Sequence, residues 1–289
     1  MPISGNDTDA ALYLSVHAKK SPRILHTDSD NEAPQYGGLI ARSVVDQKRQ
    51  KLGRKELGPY AFERAMPRSL YIALERRAPA HRELCRDGTL STRIVGANET
   101  PRLIPVLSRL SAADPTVSQA WYCHPSTFHI VKAKSEAGFC GYHNIQMLVS
   151  YMQGSRSAGS EWFGLERTPG ILQLQDMIEQ AWDLGYNKFG RDQTGGIRGT
   201  RKYIGTPEVE ALCKLVGMPY ISGRHAVSSD GRLAHEQLLD HIRDYFVSGT
   251  SSYYPTIAVA VTSKPPVYLQ QPGHSLTVVG YEQRADGSR

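Results

Sequence analysis

Two residues of this chain have the type and the setting to do chemistry. Cys140 stands in Gly138-Phe139-Cys140-Gly141-Tyr142-His143-Asn144, at the mouth of a helical run over 140–153. A thiol there faces backbone N–H groups that have no partner inside the helix and the positive end of the helix dipole. Both favour the thiolate, and the same N–H groups can receive the negative oxygen of a tetrahedral intermediate. His274 follows a Pro272-Gly273 turn and opens a strand, a place both rigid and partly open to water. A histidine within hydrogen-bond reach of such a sulfur takes its proton and makes it a nucleophile.

The same residues admit plainer readings. Cys140 could be a small core residue that happens to start a helix. Cys123, His124, His129, Cys140 and His143 fall within 21 residues, and Cys140-x-x-His143 has the gap of a zinc ligand pair. However, Cys123 and His124 are adjacent and His129 is isolated, so the expectation is no metal and no cofactor. Cys213 sits in a helical apolar stripe and reads as core. His225, His235 and His241 have no ligand spacing and read as surface or local helix contacts. The glycines between 185 and 205 match neither the dinucleotide nor the P-loop pattern. They suggest a long loop passing near the helix of Cys140.

The elements that must carry these residues are legible by period. Leu103, Val106, Leu107 and Leu110 recur at helical spacing, as do Ile145, Leu148, Val149 and Met152. Thr168-Pro169 and Thr206-Pro207-Glu208 read as helix starts, the second followed by Val209, Leu212, Cys213 and Val216. Leu238, Ile242, Tyr245 and Phe246 mark a further helix. The C-terminal text alternates as strands over 256–261, 267–269 and 276–281. Helices first and an antiparallel sheet last make an α+β domain. Residues 36–85 read as two helical pieces broken at Gly58-Pro59 and Met66-Pro67. Residues 1–35, without periodicity, read as a flexible tail. The expected division is therefore 1–35, a helical basic extension 36–99, and the main domain 100–289.

Composition bounds the rest. The chain has 289 residues, 40% hydrophobic and 21% charged, enough apolar material for a core. No run of 18 apolar residues is present and the first thirty residues lack a signal core, so neither membrane nor secretion is expected. Four cysteines fit a reducing, intracellular setting, cytoplasm or nucleus. The net charge of +6 lies wholly in residues 1–110, with Lys48, Arg49, Lys51, Arg54 and Lys55 prominent. Asp46, Glu56 and Glu63 interrupt that face. A solvated helix surface, a nucleic-acid adaptor and an arm for an acidic partner all remain open, with nucleic acid the least favoured.

Recognition adds to this reading. The run Gly138-Phe139-Cys140-Gly141-Tyr142-His143-Asn144-Ile145 resembles the Trp-Gly-Cys-Gly-Tyr-Arg-Asn motif of the C78 cysteine peptidases, with Phe139 and His143 departing from it. Gln270-Gln271-Pro272-Gly273-His274-Ser275-Leu276-Thr277-Val278-Val279-Gly280 resembles the family's histidine motif, with Leu276 where Arg is usual. Tyr203-Ile204-Gly205-Thr206-Pro207-Glu208 resembles its Trp-Ile-Gly-Ala-Thr-Glu segment. The resemblance covers about residues 100–283.

That resemblance implies a papain-like fold and hydrolysis after the C-terminal glycine of ubiquitin, of polyubiquitin or of a ubiquitin-like modifier. It gives Cys140 the nucleophile's role and His274 that of general base and acid. The Cys140 N–H and His129 become candidates for the oxyanion site, and Gly138, Gly141 and Gly273 for a narrow channel holding a glycine-ending tail. Trp121 and Trp162 read as core packing or groove lining. Pro272-Gly273 before the histidine, in place of Asp-Pro, resembles the deubiquitinase branch more than the ubiquitin-fold-modifier-specific one. In that branch the orienting Asp lies about twenty residues after the histidine. Asp286, in an Ala285-Asp286-Gly287-Ser288 turn, does not fit, so that Asp is expected beyond residue 289. Without it the expectation is weak or absent activity and an open strand edge over 275–283. A catalytically silent binder of ubiquitin-like proteins is the alternative. No zinc-finger array is visible, and the helical text over 40–85 is expected to be a substrate-binding arm. The oligomeric state is left open.

Overall fold

Alternation along the strand near residue 268 separates the two larger of three apolar clusters. The computed structural model describes residues 11–16, 51–84, 92–132, 138–164, 166–225, 233–250 and 258–289. Their elements are β1 (Ala11–Val16), α1 (Arg54–Leu57), α2 (Arg68–Arg76), β2 (Ala80–Leu84), β3 (Thr92–Gly96) and β4 (Glu99–Thr100). Then come α3 (Leu103–Ala113), β5 (Val117–Tyr122), β6 (His129–Ile130), α4 (Cys140–Ser155), α5 (Ile171–Asp183), α6 (Phe189–Thr194) and α7 (Thr206–Val216). The chain finishes with β7 (Tyr220–His225), α8 (Ala234–Val247), β8 (Val259–Val261), β9 (Val267–Gln271), β10 (His274–Val278) and β11 (Gly280–Arg284). Successive residues of a strand face opposite sides. In β9, Tyr268 joins a core made with α4, α5 and α7, while Val267 and Leu269 join a second core with α3, β5, α8 and β11.

The two larger sheets are mixed rather than antiparallel. One runs β10-β9-β1-β7 and the other β11-β5-β8, while β2-β3 and β4-β6 are antiparallel pairs. β1 is parallel to both β7 and β9, and β5 is parallel to β8. Parallel neighbours require long crossovers, so they are distant in sequence and local alternation cannot announce them. Ala11–Val16, expected within a flexible tail, is such a strand. Leu12, Leu14 and Val16 alternate for only six residues inside polar text. The rest of 1–35, and 36–50, lie outside the described residues.

Other expectations are corrected in detail. The strand expected over 276–281 is two strands, since the chain leaves β10 at Val279 and pairs with β5 as β11. Gly280 permits the crossing: a Cβ there would lie 2.6 Å from the Trp121 carbonyl oxygen. The helix from Cys140 is not amphipathic, since every residue from Gly141 to Gln153 is buried. In α3 the buried positions are Ile104 and Ser111, while Val106 and Leu110 are exposed. Two apolar stripes compete there, and tertiary packing chooses between them. α5 starts after Gly170, two residues beyond Thr168-Pro169. In α7, Thr206 lies within the helix and Glu208 caps it, accepting the Gly205 N–H at 2.8 Å. Its stripe of Val209, Leu212, Cys213 and Val216 is buried as expected, and so is that of Leu238, Ile242, Tyr245 and Phe246 in α8. His225 and His241, expected at the surface or in local helix contacts, meet at 3.2 Å between β7 and α8.

Residues 51–84 contain the two expected helical pieces, but 80–84 is a strand paired with β3. The helical part packs against the first core. Met66 and Leu74 enter the first core. The Tyr203 N–H donates to the Leu57 carbonyl (3.0 Å), and the Met66 N–H donates to the Gly199 carbonyl (2.8 Å). Glu63 accepts from the Arg201 backbone N–H at 2.8 Å and from its guanidinium, which lies 3.5 Å over the Tyr60 ring. Among the described residues no helix is long and apolar enough to cross a membrane.

The first core should carry most of the stability. Leu174 has no exposed surface, whereas Leu184, at the end of the same helix, is 61% exposed. Leu174→Ala is expected to lower the unfolding free energy by about 2–5 kcal/mol in a denaturant titration. Leu184→Ala should change it by about 0.5 kcal/mol or less.

Candidate active site

Burial fixes where the thiol sits. Phe139 caps α4 without a side-chain hydrogen bond and is itself fully buried, edge-on to Tyr142 at 5.8 Å. Cys140 is therefore the first helical residue, held by apolar packing on one side and left partly open on the other. The segment 201–204 lies against this helix start. A Cβ on Gly141 would meet Ile204 Cγ1 at 2.6 Å, and one on Gly138, where φ is +91°, would meet the Tyr203 ring at 2.9 Å. At both glycines, then, the side-chain direction is filled by the chain's own residues, and neither lines the cleft. Gly273, in the turn before His274, has open space around it. The glycine-rich loop does pass beside the helix of Cys140, though 189–194 within it is helical.

Strand β10 lies along α4. It ends its sheet among the described residues, and its inward side chains reach the helix. The Ser275 hydroxyl donates to Cys140 Sγ at 3.3 Å, and the Thr277 hydroxyl donates to Asn144 Oδ1 at 3.0 Å. Two residues along a strand cover about 6.7 Å and four along a helix rise about 6 Å, so the two contacts fit as successive rungs. None of Ser275, Thr277 and Asn144 is singled out by residue type. Their signal is joint: hydroxyls at alternate positions of the histidine strand and polar residues four apart on the cysteine helix.

A cleft of about 390 Å³ runs beside these rungs, lined by Cys140, Asn144, His274, Ser275, His129 and Lys132, with Phe128 and Met147 among its apolar walls. The structure thus brings Cys140, His274 and His129 to one cleft. His274 opens β10 opposite Gln271 and is exposed. The hydrogen bond to the sulfur comes from Ser275 rather than His274. The described residues lining the cleft include no carboxylate. Asp286 closes the C-terminal turn, accepting the Ser288 N–H at 2.9 Å.

The other candidates are spoken for. His143 is buried with Nδ1 2.8 Å from Gln146 Oε1. His124 Nδ1 meets the Ser126 hydroxyl at 2.7 Å. Cys123 is buried, which pushes its thiol up to about 12. Among the described residues no three His, Cys, Asp or Glu side chains are grouped to hold a metal ion. Trp121 packs on Tyr281, and Trp162 is 45% exposed.

Comparison with known proteins places this geometry. The model of peptidase family C78 matches residues 116–289. A mouse protein, zinc finger-containing ubiquitin peptidase 1, is 31% identical over 273 residues, covering 90% of this chain and 45% of its own length. Its human counterpart is 32% identical over 193 residues, covering 65% of this chain and 32% of its own length. The ubiquitin carboxyl-terminal hydrolase mug105 of Schizosaccharomyces pombe is 27% identical over 146 residues, 49% of this chain and 54% of its own length. The chain therefore spans less than half of the mouse and human relatives it matches.

Behind the helix start lies a buried acid with a measurable signature. Burial pushes Glu208 up to about 7 against an ordinary 4.5. The folded state then holds this proton more tightly than the unfolded one, so stability is greatest below about 4.5 and falls as pH rises through about 7. Glu208→Gln keeps an acceptor for the Gly205 N–H without the titration. Relative to the parent it should gain about 1–3 kcal/mol of unfolding free energy on raising the pH from about 5 to about 8. Parallel pH curves for the two chains would remove the buried acid from the account.

Proposed function

Because the chain belongs to peptidase family C78, we propose that it is a papain-like thiol hydrolase cleaving after the C-terminal glycine of ubiquitin, in isopeptide bonds and in polyubiquitin. The observation that carries the reading is one cleft bordered by Cys140 at a helix N-terminus, His274 at a strand start and His129. In the reaction His274 takes the Cys140 proton and the sulfur attacks the glycine carbonyl carbon. The oxygen's charge falls on the Cys140 N–H and on His129. His274 then gives its proton to the departing lysine amine, leaving a thioester. Water, deprotonated by His274, attacks the thioester and frees the carboxylate and the thiol. The open edge of β10 beside the cleft suits an extended tail laid along a strand, with Gly273 at its end. The names of the mouse, human and yeast relatives favour ubiquitin over the ubiquitin-fold modifier.

A second reading is a binder of ubiquitin-like proteins that does not cleave them. It draws on the sulfur's bond to Ser275 in place of His274 and on the lack of a carboxylate among the described cleft residues. One experiment separates the two. Ubiquitin carrying an electrophile at its C-terminus should form a single adduct with the chain, at Cys140, and none with Cys140→Ala. His274→Asn should slow the adduct at least about a hundredfold. A modifier probe run in parallel should react more slowly. Saturable ubiquitin binding with no adduct would replace the hydrolase with the silent binder.

A further inference from the structure

Ser275 is 3% exposed, and its hydroxyl lies 3.3 Å from Cys140 Sγ. Behind it the Tyr268 hydroxyl donates to Gln270 Oε1 at 3.3 Å. Tyr268 is fully enclosed, and burial holds its phenol protonated, a donor at any working pH. With the sulfur ionised, the Ser275 hydroxyl gives its proton to the sulfur. The neighbouring rung, Thr277 to Asn144, keeps β10 in the register that puts Ser275 there.

We propose that Ser275 is a positioning residue for Cys140, its hydroxyl stabilising the thiolate and holding the sulfur at the cleft. The proposal rests on Cys140 being the nucleophile. It gives the histidine strand a second task beside presenting His274: its next residue prepares the sulfur that the histidine is to serve. The other titratable groups around the sulfur are His274 on β10, His129 on β6, His143 on α4, Tyr268 on β9, Glu208 on α7 and Lys132 at the cleft. All of them remain when Ser275 alone is changed, so a difference in the pH profile reads the hydroxyl.

The test is alkylation of the full chain by iodoacetamide, followed on the Cys140 peptide by mass spectrometry from about pH 5 to about pH 9. In Ser275→Ala the pH of half-maximal rate should move up, and the rate on the acid side should fall about three- to tenfold. Ser275→Thr and Ser275→Val have nearly the same shape and differ in the hydroxyl, so the pair controls for any packing strain. The threonine variant should react faster than the valine one by a similar factor. Equal half-maximal pH in the parent and Ser275→Ala, or equal profiles for the Thr and Val variants, would overturn the proposal. Alkylation needs no substrate. If ubiquitin-probe labelling proved independent of Cys140, the hydrolase reading would fail while the effect of Ser275 on alkylation would still be read.

Discussion

A helix buried on every side has no face of its own to present, so its neighbours decide where its ends point. This is the constraint on which the site depends. Residues from Gly141 to Gln153 of α4 are enclosed by α5, α7, β9, β10 and the 201–204 segment. The absence of a Cβ at Gly141 lets Ile204 approach the first turn, and Phe139 plugs the space before it. What remains open is the end of the helix, where Cys140 and the unpaired N–H groups meet the cleft. Burial of thirteen residues beyond the cysteine thus becomes the orientation of one sulfur.

The second partner arrives by a different route. β9 is shared by two cores, Tyr268 facing one and Val267 and Leu269 the other. A shift of one residue would exchange these faces and bury Gln270 in place of Leu269. The register of β9 is therefore strongly held, and the hairpin through Gly273 passes it to β10, with His274 opposite Gln271. Hydrophobic burial sets the strand, and the strand delivers the histidine.

This division explains what the sequence discloses. Cys140 at a helix start, His274 at a strand start, and the stripes of α7 and α8 are local facts, and a period of 3.6 or of two reveals them. The placement of β1 between β7 and β9 is not local, since its partners lie about two hundred residues away. Nor is the clasp between residues 51–76 and 199–203, which depends on Glu63 finding Arg201. The buried stripe of α3 fails for a related reason: the helix carries two candidate faces, and only the second core selects one. Ser275 and Thr277 were hidden because each is an ordinary strand residue until the helix opposite is known.

The electrostatics of the cleft follow from the same arrangement. Its described polar lining consists of hydroxyls, an amide, histidines and Lys132, without a carboxylate. The buried acid Glu208 is turned to the Gly205 N–H at the start of α7, and burial raises it to about 7. An anion at the mouth of α4 thus meets donors from three directions, the helix N–H groups, Ser275 and the imidazoles, and no competing negative charge among the described residues. On the proposed hydrolase reading, these are the donors that would receive the oxyanion of a tetrahedral intermediate. That lining suits the proposed reaction, in which one negative charge moves from sulfur to oxygen as an acyl group passes to a cysteine.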